Sequence, residues 1–228
     1  MIKLIVFDLD NTLAKVGKGI EQIDIELLKE IEQKGVKIAI CSGKPVNYLC
    51  GFMQQVGQEN PILLGENGAV IQFGVDLPPK KYCVITDKQD TVRQLKELRA
   101  DLENKFGDRV WVQPNEIEMT AFPHDIELFD QIQAVIDEKN IADAVVYRQV
   151  DCFDIVPSDV SKSRGLQYLA NLLGLSSEDF IAVGDGINDY PMFEYAGLSL
   201  GVNVKDESRV AINFNNINQA LEYLIKTY

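Results

Sequence analysis

Three short apolar runs end abruptly in residues that could do chemistry. The run ending at Phe7 is followed by Asp8-Leu9-Asp10-Asn11-Thr12. The run ending at Cys41 is followed by Ser42-Gly43-Lys44. The run ending at Val183 is followed by Gly184-Asp185-Gly186-Ile187-Asn188-Asp189. In open α/β sheets, ligands bind beyond the carboxyl ends of the strands, so these three tips would converge on one crevice. Asp8, Asp10, Asp185 and Asp189 would share it, and so many like charges cannot all stay ionised without a cation or strongly raised pKa values. An oxygen-rich acidic cage is what Mg²⁺ uses, and Mg²⁺ commonly takes substrate phosphate as well.

Each motif alone has an ordinary structural use. An Asp at a strand end turns the chain. Asn188 and Asp189 could cap a helix starting near Pro191. Lys162 could be a solvated helix residue, and a Ser-Gly pair is common loop punctuation. The combination of the motifs in this order, with three of them behind buried-strand patterns, is what makes them a set.

The elements that position them follow from the apolar pattern. Residues 3–7 and 36–41 read as strands buried on both faces, as in a parallel sheet. Asp24 could cap a helix with Ile25, Leu28 and Ile31 facing inward and Gly35 as its stop. Pro45 suits the first turn of a helix carrying Val46, Leu49, Cys50, Met53 and Val56 on one face. A third strand at 62–64 completes a β-α-β-α-β opening, which implies right-handed crossovers in a parallel sheet. The pattern then changes. Strands at 82–86, 110–112, 117–121, 144–147 and 152–156 alternate with helices at 88–106 and 126–139. The expected organisation is an α/β, Rossmann-like parallel-sheet core domain over residues 1–76 and 157–228, with an α+β cap domain inserted at 77–156. The core rhythm resumes with a helix at 161–173, strands at 180–183 and 198–202, and a final amphipathic helix at 217–227.

Composition narrows the function. The chain has 228 residues, with 22 Lys+Arg against 35 Asp+Glu and a net charge of −13. That charge repels phosphate backbones and argues against nucleic-acid binding. No apolar run approaches the ~20 residues of a membrane span, and the N-terminal stretch runs straight into carboxylates, unlike a signal peptide. Cys41, Cys50, Cys83 and Cys152 lack metal-binding spacing and read as buried thiols of a cytoplasmic protein. A small-molecule ligand is expected, on a monomer or homodimer, with neither nucleic acid nor membrane as partner.

FDLDNT, CSGK, SKSRGL and GDGINDYPMF resemble, in order, the four signature motifs of the haloacid dehalogenase-like hydrolases. The resemblance runs from Phe7 to about Val204. GENGA at residues 65–69 is similar to the Asn-Gly segment preceding the cap in the subgroup with an α/β cap. The stretch from Asp10 to Ser42 holds only one helix and one strand, so the cap belongs between Lys44 and Lys162, after the third strand.

The resemblance implies the following roles. Asp8 is the nucleophile that forms an aspartyl-phosphate, and Asp10 protonates the leaving oxygen and then takes a proton from water. Mg²⁺ is held by the Asp8 carboxylate, the Asp10 backbone carbonyl and Asp185, with Asp189 a further ligand, directly or through water. Ser42, Gly43, Lys44, Lys162 and Asn188 form the substrate-binding set. In it, Ser42 and Lys162 hold the phosphoryl oxygens, with backbone N–H groups near Leu9 and Asn11. Thr12 and Asn188 orient carboxylates. An Asp at position 10 implies phosphatase or phosphomutase chemistry. Position 44 is Lys where the family often has Arg, which gives a point charge instead of a bidentate clamp. LSLGVNVKDE, at 198–207, matches the corresponding family segment only loosely.

The expected activity is Mg²⁺-dependent hydrolysis of a small phosphate monoester, phosphoglycolate or a sugar phosphate. A phosphomutase of the same fold and a non-catalytic binding protein are the alternatives. The cap is expected to close over the substrate as a rigid body, hinging near Pro78-Pro79 and Pro157-Ser158. Lys44 and Arg148 are cations able to meet a second anionic group, and His124 is the only histidine.

Overall fold

The computed structural model describes residues 2–58 and 60–228. The chain divides into two compact units, one running to Ile85 and resuming from Ser161 to Tyr228, the other spanning Thr86–Val160.

The larger unit is built on strands β1 (Leu4–Phe7), β2 (Lys37–Cys41), β3 (Ile62–Gly65), β4 (Val70–Phe73) and β5 (Lys81–Val84), with helices α1 (Gln22–Gln33) and α2 (Val46–Val56) between the early ones. The second unit contributes α3 (Gln89–Phe106), β6 (Val110–Val112), β7 (Met119–Pro123), α4 (Leu128–Lys139), β8 (Ala144–Arg148) and β9 (Phe153–Pro157). The chain then returns through α5 (Lys162–Leu173), β10 (Phe180–Gly184), α6 (Tyr190–Tyr195), β11 (Leu198–Val202), β12 (Ile212–Phe214) and α7 (Ile217–Thr227).

The large sheet runs β12-β11-β10-β1-β2-β3-β4-β5. β12 through β3 pair in parallel, and β4 and β5 add antiparallel strands at one edge. Strict alternation places side chains on two separate cores. Ile5, Phe7, Ile38, Ile40, Ile181 and Val183 pack with residues of α1, α2 and α7. Leu4, Val6, Ala39, Cys41, Phe180 and Ala182 pack with residues of α5 and α6 on the opposite face. Burial on both faces is why these strands read as continuous apolar runs. β1 lies between β10 and β2, so the residues that follow it emerge beside those that follow its neighbours.

The second unit has its own antiparallel sheet, β6-β7-β9-β8. Leu95, Leu98 and Leu102 of α3 and Leu128, Ile132 and Ile136 of α4 share a core with Val110, Ala121, Phe153 and Ile155 of its strands.

Three local expectations change. The strand expected at 82–86 within the insertion is β5, and it pairs with β4 in the large sheet. The second unit therefore begins at Thr86, later than the residue 77 expected, and runs to Val160 where 156 was expected. Asp24 does not cap α1. That helix starts at Gln22, which places the buried Asp24 inside its first turn, where it accepts a hydrogen bond from Asn218 of α7 at 3.3 Å. β4 and β12 are strands that the apolar pattern did not mark.

Candidate active site

After β1 the chain folds back tightly. The Asn11 N–H donates to the Ala14 carbonyl at 2.6 Å and the Ala14 N–H to the Leu9 carbonyl at 3.0 Å, with Asn11 in the left-handed region at φ 62°. The Asp8 N–H still donates to the Val183 carbonyl of β10 at 2.8 Å, which ties the first motif to the last.

The turn after β10 is organised by a carboxylate. Asp189 Oδ2 accepts the backbone N–H groups of Asp185 and Gly186 at 2.9 and 3.0 Å. Asp185 Oδ1 in turn accepts the Thr12 hydroxyl at 3.2 Å. Lys162 is the first residue of α5, directly after Ser161, whose side chain caps the helix by accepting the Arg164 N–H. Its ammonium lies 2.6 Å from both Asp8 Oδ1 and Asp189 Oδ1, and the lysine is only 1% exposed.

One carboxylate oxygen from each of Asp8, Asp185 and Asp189 lies within 4.8 Å of the others. Three carboxylates facing one ammonium leave two negative charges uncompensated. Burial, with help from Asp189 and Asp185, raises Asp8 to about 7 even though Lys162 opposes the shift. Burial and Asp189 raise Asp185 to about 6. Burial alone would lower Lys162, but Asp189 and Asp8 outweigh it and hold its pKa above the usual lysine value. An all-oxygen donor set with this charge excess and raised carboxylate pKa values fits a hard divalent cation such as Mg²⁺.

The remaining expected residues fall in two groups. Ser42 is buried, its N–H donates to the Leu64 carbonyl, and its Oγ accepts the Lys44 N–H at 3.2 Å. Gly43 lies between them. Asp10 does not join the carboxylate cluster. Its Oδ2 lies 3.7 Å from the Lys44 ammonium, in a pair with both side chains partly exposed. Asn188 is exposed, with its side-chain oxygen over Gly186. Among the described residues, no hydrogen bond links it to the carboxylates. Thr12 carries the orienting hydrogen bond instead. In the second unit, Arg148 is already committed. It donates to Asp130 at 2.9 Å and lies 5.5 and 5.7 Å over the rings of Phe129 and Phe153. His124 is exposed, and its N–H donates to the Arg109 carbonyl.

Sequence reasoning assigned no role to residues 66–68. The Glu66 N–H donates to the Lys44 carbonyl and the Asn67 N–H to the Ser42 carbonyl, both at 3.0 Å. The Asn-Gly pair at 67–68 is the signal that marked the segment.

Carboxylates and a buried lysine are gathered at the strand tips of a parallel sheet, in an α/β chain interrupted by an α+β unit. The chain belongs to the haloacid dehalogenase-like hydrolases, whose family model matches residues 5–113 and 80–212. It is similar to the phosphoglycolate phosphatase of Methanopyrus kandleri, at 24% identity over 234 residues, covering 99% of this chain and 97% of that protein. It is also similar to the phosphoglycolate phosphatase of Methanoculleus marisnigri, at 27% identity over 204 residues, covering 89% and 84%. Among solved structures, a haloacid dehalogenase-like hydrolase from Bacteroides thetaiotaomicron shares the fold with a TM-score of 0.80 at 18% identity, covering 98% of this chain and 100% of that one. A haloacid dehalogenase-like hydrolase from B. subtilis does so with a TM-score of 0.74 at 17% identity, covering 98% and 100%. No helix among the described residues is long and apolar enough to cross a membrane.

Proposed function

We propose that the chain is a Mg²⁺-dependent phosphatase that hydrolyses a small phosphate monoester, phosphoglycolate or a sugar phosphate, through an aspartyl-phosphate on Asp8. Membership of the hydrolase family and its phosphatase relatives make it a phosphoric monoester hydrolase; the metal, the residue roles and the substrate are the proposed part. The observation that carries the reading is the buried Asp8–Lys162–Asp189 contact beside Asp185 at the strand tips.

Asp8 Oδ1 is held by Lys162, which leaves Oδ2 to attack phosphorus as the bond to the ester oxygen breaks. Asp10 lies outside the carboxylate cluster and gives its proton to the departing alkoxide. It then takes a proton from the water that attacks the same phosphorus, and the Asp8–phosphorus bond breaks to release inorganic phosphate. Lys162 and Ser42, with the N–H groups near Leu9 and Asn11, hold the equatorial oxygens where charge spreads. Thr12 fixes Asp185. Asp189 has both oxygens engaged, by Lys162 and by two backbone N–H groups, and so sets the lysine and the turn in place. The Asp8 and Asp185 carboxylates and the Asp10 carbonyl would hold Mg²⁺, with Asp189 at the edge of that set. When bound, Mg²⁺ supplies positive charge that offsets repulsion between the phosphate and the carboxylates.

Phosphoglycolate is the preferred substrate because relatives carry that name and because Lys44 offers a second cation for its carboxylate. The test is a screen of phosphate monoesters for inorganic phosphate release. Release from phosphoglycolate with Mg²⁺, abolished by excess chelator, is expected. Brisk hydrolysis of hexose phosphates with none of phosphoglycolate overturns the substrate, and full turnover in chelator overturns the metal.

A further inference from the structure

We propose that the turn Glu66–Gly68 is a positioning element that ties the Ser42 loop to the first turn of α5 and so sets the spacing of Ser42 and Lys162. The inference rests on the reading above, in which those two residues hold the phosphoryl group.

Three consecutive residues adopt the left-handed conformation, with φ of 53° at Glu66, 52° at Asn67 and 91° at Gly68. Only glycine and, less readily, asparagine enter that region at low cost, and Glu has no side-chain device for it. Such a run persists only where the surroundings over-determine it. On one side, the Glu66 and Asn67 N–H groups donate to the Lys44 and Ser42 carbonyls, bracketing the loop that presents Ser42. The Asn67 side-chain amide lies alongside Gly43. On the other side, Gly68 meets the start of α5 backbone to backbone. A Cβ on Gly165 would stand 2.8 Å from Gly68 Cα and 3.0 Å from its carbonyl oxygen, and a Cβ on Gly68 would stand 3.1 Å from both Gly165 Cα and the Ser161 carbonyl oxygen. Lys162 lies between Ser161 and Gly165, on that same turn. The strut is therefore made of backbone at both ends, and neither end can give by a rotamer change.

The test uses the full chain with Mg²⁺, reading kcat and KM on p-nitrophenyl phosphate, the inhibition constant of inorganic phosphate, and Tm. Gly165→Ala forces the strut and α5 apart. At a temperature well below its Tm it is expected to lose at least tenfold in kcat and to bind inorganic phosphate at least tenfold more weakly. Gly51→Ala is the control, because nothing lies within 4 Å of a Cβ there, and it is expected to match wild type. A second pair stands if Gly165→Ala fails to fold. Asn67→Gly keeps the left-handed conformation and is expected to lose clearly less than Asn67→Val, which resists it and is expected to lose at least tenfold in both readouts. A purely structural role would lower Tm and leave the phosphate inhibition constant of the folded enzyme unmoved. The proposal is overturned if folded Gly165→Ala stays within twofold of wild type, or if Asn67→Gly and Asn67→Val are equally impaired. A wild-type protein that neither hydrolyses the ester nor binds phosphate would instead overturn the reading it rests on.

Discussion

The Lys162 ammonium lies 2.6 Å from Asp8 Oδ1 and is buried with it, so the nucleophile proposed here carries a built-in counter-charge. Asp189 takes the other side of the same ammonium at 2.6 Å. Removing one partner of a buried pair leaves the other charge desolvated and unpaired, which costs about 3–5 kcal/mol. Lys162→Met is therefore expected to lower the unfolding free energy at pH 8 by about that amount, and by less at pH 5, where protonation neutralises Asp8, which burial raises to about 7. Urea unfolding at the two pH values checks this. Equal stability of wild type and variant at pH 8 would show that the lysine does not offset the carboxylates.

Asp8→Asn removes the attacking oxygen while keeping shape and a hydrogen-bond acceptor for Lys162. Turnover is expected to vanish, with the fold intact by circular dichroism. Asp10→Asn loses the proton donor, a loss of about 10²–10⁴-fold, and is expected to let phosphate accumulate on Asp8 from a substrate with a good leaving group. Mass spectrometry of acid-quenched protein reads the adduct. More than a few per cent of wild-type rate in Asp8→Asn would rule out the covalent route.

Lys44 and Asp10 are 3.7 Å apart with both side chains partly exposed, and such pairs contribute about 0–1 kcal/mol. Losing Lys44 should therefore disturb Asp10 little. Lys44→Ala is expected to raise KM for phosphoglycolate about tenfold while leaving p-nitrophenyl phosphate within threefold, because only the first substrate has a second anion. Equal losses on both substrates would place Lys44 at the phosphoryl group.

Asp24 gives a pH-dependent prediction away from the active site. Burial raises its pKa above the ordinary carboxylate value, although the Asn218 hydrogen bond opposes the shift. An acid that binds its proton more tightly when folded stabilises the fold fully at low pH and loses that contribution as pH rises through its folded pKa. Asp24→Asn cannot titrate and keeps an acceptor for Asn218. Its stability relative to wild type is expected to grow as the pH rises above the ordinary carboxylate range, as measured by urea unfolding. A difference that is flat with pH would contradict the shift.

The two acidic motifs and Ser42-Gly43-Lys44 are legible in the sequence because each follows a strand buried on both faces, and a continuous apolar run ending in Asp or Ser marks a strand tip. β5 was misplaced because it is a largely exposed four-residue strand, KYCV, with no core pattern to attach it to the large sheet. β12 is equally short, and its residues are only partly buried. The partners of Arg148, which are Asp130, Phe129 and Phe153, are not legible in the sequence, because they lie on other elements and leave no periodic trace. The left-handed state of Glu66 leaves none either, because its N–H is bound to the Lys44 carbonyl, over twenty residues away in sequence.

The second unit should be separable from the first. It has its own sheet and an apolar core formed by α3, α4 and its strands. Its two ends are joined side chain to side chain, because the Thr86 hydroxyl donates to Asp159 Oδ1 at 2.8 Å. Replacing residues 86–160 by a short Gly/Ser linker therefore needs to span little distance, and the large sheet loses no strand. The shortened protein is expected to unfold cooperatively and to hydrolyse p-nitrophenyl phosphate slowly, with its preference among natural monoesters gone. Cooperative unfolding follows from the two apolar layers of the large sheet, which draw only on residues outside the deletion. Loss of preference follows if the second unit supplies the contacts that distinguish one phosphate ester from another. A shortened chain that fails to fold would show that the large unit depends on the insertion, and one that keeps full selectivity would place substrate discrimination within the large unit.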